Sequence, residues 1–260
     1  MEELLTYQSV EISFNGRPTV HDISFKLHSG EIIGIVGESG SGKSTLLKAA
    51  IGLLDKTGTV TKGDIWFQGM DIPDLPEKEM QKIRGAKIGM IFQDSGASFC
   101  PIRTIGSQIY ESMLSHNKIT KAEAMDKALE LFDKLNFKDG KRIWDSYPFE
   151  LSGGMNQRVG IAAAMIMKPM ILLSDEPTSA LDIAVQRQVV KELLLLRDLF
   201  GTSIILVTHD IGVVSAMADT ILVLKDGCLV ECGEAKQILQ SPEKEYTKQL
   251  LSAVPRLRRA

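Results

Sequence analysis

The chain has 260 residues, 44% of them hydrophobic and 24% charged, with a formal net charge of −3. That length suits one large domain or a core carrying an insertion, the composition is that of an ordinary globular protein, and the slightly acidic balance argues against a general nucleic-acid binder. The three cysteines, Cys100, Cys228 and Cys232, form no disulfide framework in a chain this long and read as small buried hydrophobes of a reducing compartment.

In chain order, Val10, Ile12 and Phe14 alternate with polar residues, so Tyr7 to Phe14 reads as a strand with one exposed face. Asn15-Gly16 is a hairpin turn into a second alternating stretch through Ile23, Phe25 and Leu27. His28-Ser29-Gly30 then turns into an apolar run, Ile32-Ile33-Gly34-Ile35-Val36, which feeds Gly37-Glu38-Ser39-Gly40-Ser41-Gly42-Lys43-Ser44-Thr45 and a helical segment, Leu46 to Leu54. Strand, glycine-rich turn and helix are the context that makes G-x-x-x-x-G-K-[ST] a phosphate site rather than a glycine turn that binds nothing. Gly37, Gly40 and Gly42 let the backbone curl so that N–H groups face phosphate oxygens, and the following helix adds unsatisfied donors and the positive end of its dipole. Lys43 is placed to reach the β- and γ-phosphates of ATP, and the Ser44 hydroxyl to coordinate Mg²⁺.

Further strands are expected at Ile65-Trp66-Phe67 and from Ile88 to Phe92, with a helix from Pro76 to Arg84 between them. After Gln93 the pattern turns helical, with Ile109, Met113, Ala124, Ala128, Leu131 and Leu135 at three- and four-residue intervals. Strand and helix alternate again from Met170: a strand to Ser174, a helix from Ile183 to Phe200, a strand from Ser203 to Thr208 and a helix from Ile211. A hairpin follows, Ile221–Leu224 and Cys228–Val230 around Asp226-Gly227. The expected fold is α/β with a mainly parallel sheet. No apolar run approaches the roughly 18 residues of a membrane span, and Met1-Glu2-Glu3 lacks the start of a signal peptide. A cytoplasmic chain is therefore expected, touching a membrane only indirectly.

Asp175 ends the apolar strand Met170 to Ser174, where a carboxylate can hold Mg²⁺ directly or through water. Glu176, the next residue, is the candidate general base or water-orienting group; an acidic pair that caps the next turn is the plain alternative. Leu151-Ser152-Gly153-Gly154-Met155 precedes an expected helix, Asn156 to Met167, and reads as a second anion-binding helix start or an ordinary one. Cys228 and Cys232 cannot complete a tetrahedral metal site and are expected to pack in a strand. Arg256, Arg258 and Arg259 read as a solvated terminus.

With these motifs in hand, the chain resembles the ATPase subunit of ATP-binding cassette (ABC) transporters. The phosphate loop Gly37–Thr45, Gln93 after a strand, Leu151–Met155, Ser174-Asp175-Glu176 and His209 occur in the family's order, and Ser179-Ala180-Leu181-Asp182 matches its D-loop. The resemblance implies a RecA-like P-loop core (residues 1–93 and 169–240) with a small antiparallel β-region, an inserted α-helical subdomain (94–168), and a C-terminal helix and tail (241–260). It implies that Gln93 senses Mg²⁺ and the attacking water, that His209 contacts the γ-phosphate and that Phe14 stacks on adenine, although Phe14 also reads as a core strand residue. It implies a head-to-tail dimer with a second ABC ATPase subunit, a paralogue or a second copy, in which Leu151–Met155 caps ATP on the partner and Asp182 communicates across the pair. Two integral-membrane permeases and, indirectly, an extracytoplasmic solute-binding protein are the implied partners, with the ATPase peripheral on the cytoplasmic face of the inner membrane.

The chain is similar, more narrowly, to the peptide and nickel import branch, through Met155, Tyr147-Pro148-Phe149-Glu150, Tyr246-Thr247, Leu250-Leu251 and Pro255. Peptide-importing members commonly run well past Pro255 and often carry Leu and Asn where Ser98-Phe99-Cys100-Pro101 has Phe99 and Cys100. Those departures and Phe149 lean toward nickel or metal-chelate import. A soluble ABC-type ATPase not coupled to transport and a non-hydrolysing regulatory module are the competing readings. The first usually carries two cassettes or a long coiled coil, and the second does not call for both Glu176 and His209.

Overall fold

The computed structural model describes residues 2–179 and 181–252, so Ala180 and the basic terminus with Pro255, Arg256, Arg258 and Arg259 lie outside the described residues. In chain order the elements are β1 (Glu3–Phe14), β2 (Arg17–His28), β3 (Ile32–Val36), α1 (Lys43–Ala50), β4 (Gly58–Phe67), β5 (Met70–Asp71), α2 (Glu77–Ile83) and β6 (Ile88–Ile91). Then come α3 (Ser95–Ser98), α4 (Ile105–Leu114), α5 (Lys121–Lys134), α6 (Gly140–Asp145), α7 (Gly153–Met165), β7 (Ile171–Asp175) and α8 (Ile183–Phe200). The chain closes with β8 (Ser203–Val207), α9 (Ile211–Met217), β9 (Thr220–Lys225), β10 (Cys228–Glu234), α10 (Ala235–Gln240) and α11 (Glu245–Ser252). Two units emerge, Met1–Met80 with Ser203–Ala260, and Gln81–Thr202.

In the first unit the strands run in the order β5-β4-β1-β2-β10-β9-β3-β8. β3 pairs in parallel with both β8 and β9, and every residue of β3 and β8 is buried, as the unbroken apolar runs require. Gly34 lets α9 close on this layer, because a Cβ there would stand 2.7 Å from Val214 Cγ1. The antiparallel part is longer than the alternation suggested, since β1 and β2 each run for 12 residues. Its inward set is Leu5, Tyr7, Val10 and Ile12, and the phase slips between Tyr7 and Val10 at a bulge where Ser9 has φ 49°. Tyr7 stacks on Phe25 with ring centroids 4.4 Å apart and donates its buried hydroxyl to the Leu46 carbonyl at 2.7 Å, tying this layer to the first turn of α1.

In the second unit β6 and β7 pair in parallel, with Ile91 opposite Ser174. The helices α4, α5 and α6 bury Ile105, Ile109 and Met113 against Ala124, Ala128, Phe132 and Trp144. Gly106 lies flat on the Trp144 ring, where a Cβ would come within 2.3 Å. Reciprocal bonds between Thr120 and Glu123 start α5. Gly201, at φ 67°, closes α8 in the left-handed conformation.

The cysteines depart from expectation: Cys100, Cys228 and Cys232 are all exposed. No residue of β10 is fully buried, so its pleat presents both of its cysteines outward. Among the described residues, no helix is long and apolar enough to cross a membrane.

Candidate functional site

The loop between β3 and α1 holds three glycines at positive φ: Gly37 at 154°, Gly40 at 83° and Gly42 at 93°. Two of them also sit where a side chain has no room. A Cβ on Gly37 would fall 2.1 Å from the Leu224 carbonyl oxygen of β9, and one on Gly42 would fall 2.8 Å from Val20 Cγ2. The loop curls around the ammonium of Lys43, which is buried and donates to the carbonyls of Gly37 (2.9 Å) and Glu38 (2.7 Å) and to Ser41 Oγ (3.4 Å). Glu38, Ser39 and Gly40 form an exposed crest; Ser44 and Thr45 are half-buried in the first turn of α1. Gly42 is the N-cap of that helix and brings no capping side chain, so the amino end of α1, where the helix dipole is positive, opens directly onto the loop.

His209 is exposed just past β8. Because Ile35 pairs with Val207, the carboxyl ends of β3 and β8 lie side by side, and His209 stands on the sheet edge from which the phosphate loop departs. Phe14 lies at the tip of the β1–β2 hairpin, half-buried against Gly58, and Val20 of the same hairpin touches Gly42.

The second unit gathers another group. Every residue of β7 is buried, including Asp175 at its end, which is 7% exposed. Glu176 takes a left-handed backbone, φ 46°, which a non-glycine residue adopts at a cost of about 1 kcal/mol or more. Its carbonyl accepts the Ser179 N–H (3.1 Å) and hydroxyl (2.9 Å), which hold that turn. Its carboxylate accepts Gln93 Nε2 at 3.2 Å. Gln93 and Glu176 each stand two residues beyond paired positions of β6 and β7, Ile91 and Ser174, so the parallel ladder itself brings them together.

The helix α7 starts at Gly153, earlier than its apolar pattern, because Ser152 caps it through the Met155 N–H at 3.3 Å. Asn156 Nδ2 ties the preceding turn by donating to the Pro148 (2.9 Å) and Leu151 (3.4 Å) carbonyls. Gly153 faces open space, whereas a Cβ on Gly154 would meet Val185 at 3.0 Å. Asp182 caps α8 through the Val185 N–H at 2.9 Å, so the amino ends of α7 and α8 lie together. Between them is a cleft of about 320 Å³ lined by Ser152, Gly154, Met155, Arg158, Val185 and Gln188.

Below that cleft is a polar knot that motif reading missed. Arg158 Nε donates to Glu192 Oε1 at 2.5 Å and its Nη2 to the Leu135 carbonyl at 2.7 Å, while its guanidinium lies 4.2 Å from the Phe137 ring centroid. Gln188 adds a bond to the same Glu192 oxygen at 3.0 Å. Glu192 is 2% exposed, and burial pushes its carboxyl up from the usual range against the pull of Gln188 and Arg158. On the sequence Glu192 is one charge on a long helix, and its burial follows only from α8 lying on α7.

The family description "ABC transporter" matches residues 20–179. The oligopeptide transport ATP-binding protein AmiE of Streptococcus pneumoniae is 40% identical over 259 residues, which cover 98% of this chain and 73% of AmiE. The metal-staphylopine import system ATP-binding protein CntD of Staphylococcus aureus is 40% identical over 251 residues, covering 96% of this chain and 92% of CntD. Among solved structures, the dimeric post-hydrolysis state of the ATP-binding cassette MJ0796, bound to ADP and Pi, matches with a TM-score of 0.78 at 29% identity, covering 89% of this chain and 99% of that one.

Proposed function

Because the chain belongs to the ABC transporter family, as one of its ATP hydrolases in the peptide and nickel import branch with a RecA-like P-loop α/β fold, we propose that it is the motor subunit of an importer. It binds ATP with Mg²⁺ and pairs head to tail with a second ATPase subunit, a paralogue or itself. Turnover is coupled to two membrane permeases, to which an extracytoplasmic solute-binding protein delivers the cargo. The subunit is peripheral to the membrane on its cytoplasmic face. Residues 1–93 and 169–240 serve as the nucleotide core, 94–168 as the inserted helical subdomain and 241–260 as the C-terminal extension.

The roles follow from the chemistry. Phosphoryl transfer to water leaves a protein mostly the tasks of positioning and charge stabilisation. Lys43 and the N–H groups of Gly37–Thr45 hold the β- and γ-phosphates. Ser44, Asp175 and Gln93 offer hydroxyl, carboxylate and amide oxygens, the hard donor set that suits Mg²⁺. Bound there, Mg²⁺ would neutralise phosphate charge. Glu176 orients the attacking water and accepts its proton, His209 contacts the γ-phosphate, and Phe14 stacks on adenine. Leu151–Met155 caps the nucleotide of the partner subunit and Asp182 signals across the pair. The observation that carries the hydrolytic reading is the bond between Gln93 and Glu176, two motif residues 83 positions apart.

For the solute, Phe99, Phe149 and the similarity to CntD support a nickel or other metal chelate. The similarity to AmiE supports a peptide as the second reading. Deleting the gene should lower cellular nickel or cobalt under metal limitation and leave growth on peptides intact. The reverse phenotype assigns a peptide, and a deletion without effect on either uptake rejects the importer.

A further inference from the structure

Tyr246 and Thr247, noted above only as marks of a family branch, lie in α11 (Glu245–Ser252). The hydroxyl oxygen of Tyr246 accepts the backbone N–H of Glu38, in the crest of the phosphate loop, at 3.3 Å. The carbonyl of the same Glu38 accepts Lys43 Nζ at 2.7 Å and the Ser41 N–H at 3.2 Å. Glu38 is thus gripped on both sides, by the C-terminal helix through its N–H and by the loop's own lysine through its carbonyl. Its neighbour Gly37 is backed by the Leu224 carbonyl, so the first turn of the loop has little room in which to relax.

The phenol is itself well placed. Lys225 Nζ lies over the Tyr246 ring, 4.8 Å from its centroid. The chain entering α11 is pinned to β10, where the Glu231 carboxylate accepts the N–H groups of Glu243 (2.7 Å) and Lys244 (3.2 Å). One residue beyond Tyr246, Thr247 is buried. Burial pushes the phenol up from its ordinary value against the pull of the Glu38 N–H, and the nearby Glu38 and Asp226 carboxylates add to the rise.

We propose that Tyr246 is a positioning residue for the nucleotide site: α11 holds the Glu38 peptide, keeps the loop curled around Lys43, and makes ATP affinity depend on the docking of the C-terminal helix. The inference rests on the reading of Gly37–Thr45 as the ATP site. A preorganised loop spends less binding free energy on ordering itself, so the effect belongs in affinity rather than in the chemical step.

The test is Tyr246→Phe in the full chain, which keeps the ring and its contact with Lys225 but removes the acceptor oxygen. Calorimetric Kd and steady-state KM for ATP should both rise about three- to tenfold, the worth of one net hydrogen bond. The kcat should stay within about twofold, and the nucleotide-free thermal midpoint should fall by no more than about 5 °C, because one hydrogen bond is lost without loss of core packing. Lys43→Ala, measured alongside, separates the two claims. If Lys43→Ala abolishes ATP binding while Tyr246→Phe binds as wild type, the role of Tyr246 is overturned and the ATP site stands. If Lys43→Ala binds ATP normally, the reading of the loop fails. A Tyr246→Phe protein whose thermal midpoint falls by about 10 °C or more along with its affinity shows a structural tyrosine, and that too overturns the proposal.

Discussion

Gly37 shows how tightly single positions are specified. Its φ of 154° and the 2.1 Å approach of the Leu224 carbonyl oxygen to a would-be Cβ leave only hydrogen at that position. Gly37→Ala should therefore cost about 1–3 kcal/mol in urea unfolding and should also weaken ATP binding, because the loop can admit a methyl only by shifting. Gly40→Ala, at φ 83° but facing open space, should cost no more than about 2 kcal/mol. Equal losses at both positions would contradict the role given to Leu224. The loop residues are legible in sequence because phosphate chemistry demands their types at fixed spacing. Tyr246 is not, because its partner Glu38 lies 208 positions away and no local pattern marks the pair.

At the scale of elements, α7 and α8 are joined by an ion pair between half-buried Arg158 and buried Glu192, and the amino ends of both helices carry motif residues. Removing one side of such a pair strands the other, so Glu192→Ala should destabilise the protein by about 3–5 kcal/mol, measured by chemical denaturation. Arg158→Met combined with Glu192→Leu should recover much of that loss, since apolar replacements of similar volume leave no unpaired charge. A double variant as unstable as the single one would contradict this account. Element boundaries were legible where a cap or glycine marks them, as in α8, which runs Ile183–Phe200 between Asp182 and Gly201. They were not legible where the pattern is interrupted. The bulge at Ser9 shifts the alternation of β1, so its first residues, from Glu3, do not continue the pattern of Val10, Ile12 and Phe14. The six residues of α6 are too few to show a period, and what holds them is Trp144 against Gly106, a contact that appears only on folding.

At the scale of the whole molecule, alternating strands and helices announced an α/β fold, because buried parallel strands need long apolar runs such as Ile32–Val36 and Ser203–Val207. The exposure of β10, and with it of Cys228 and Cys232, depends on which strands end up beside it, and composition carries no trace of that. The same limit applies to the solute, whose recognition belongs to other subunits of the proposed importer. What this chain does carry is the proposed hydrolytic switch, in which ATP closes a pair of subunits and hydrolysis reopens it. Glu176→Gln tests that claim most directly, because it keeps shape and hydrogen bonding but removes the charge and the proton acceptor. Light scattering coupled to size exclusion should show an ATP-dependent dimer, alone or with the paralogue, and hydrolysis should fall by roughly a hundredfold or more while ATP still binds. Near wild-type hydrolysis by Glu176→Gln, with no dimer trapped by ATP, would contradict the account.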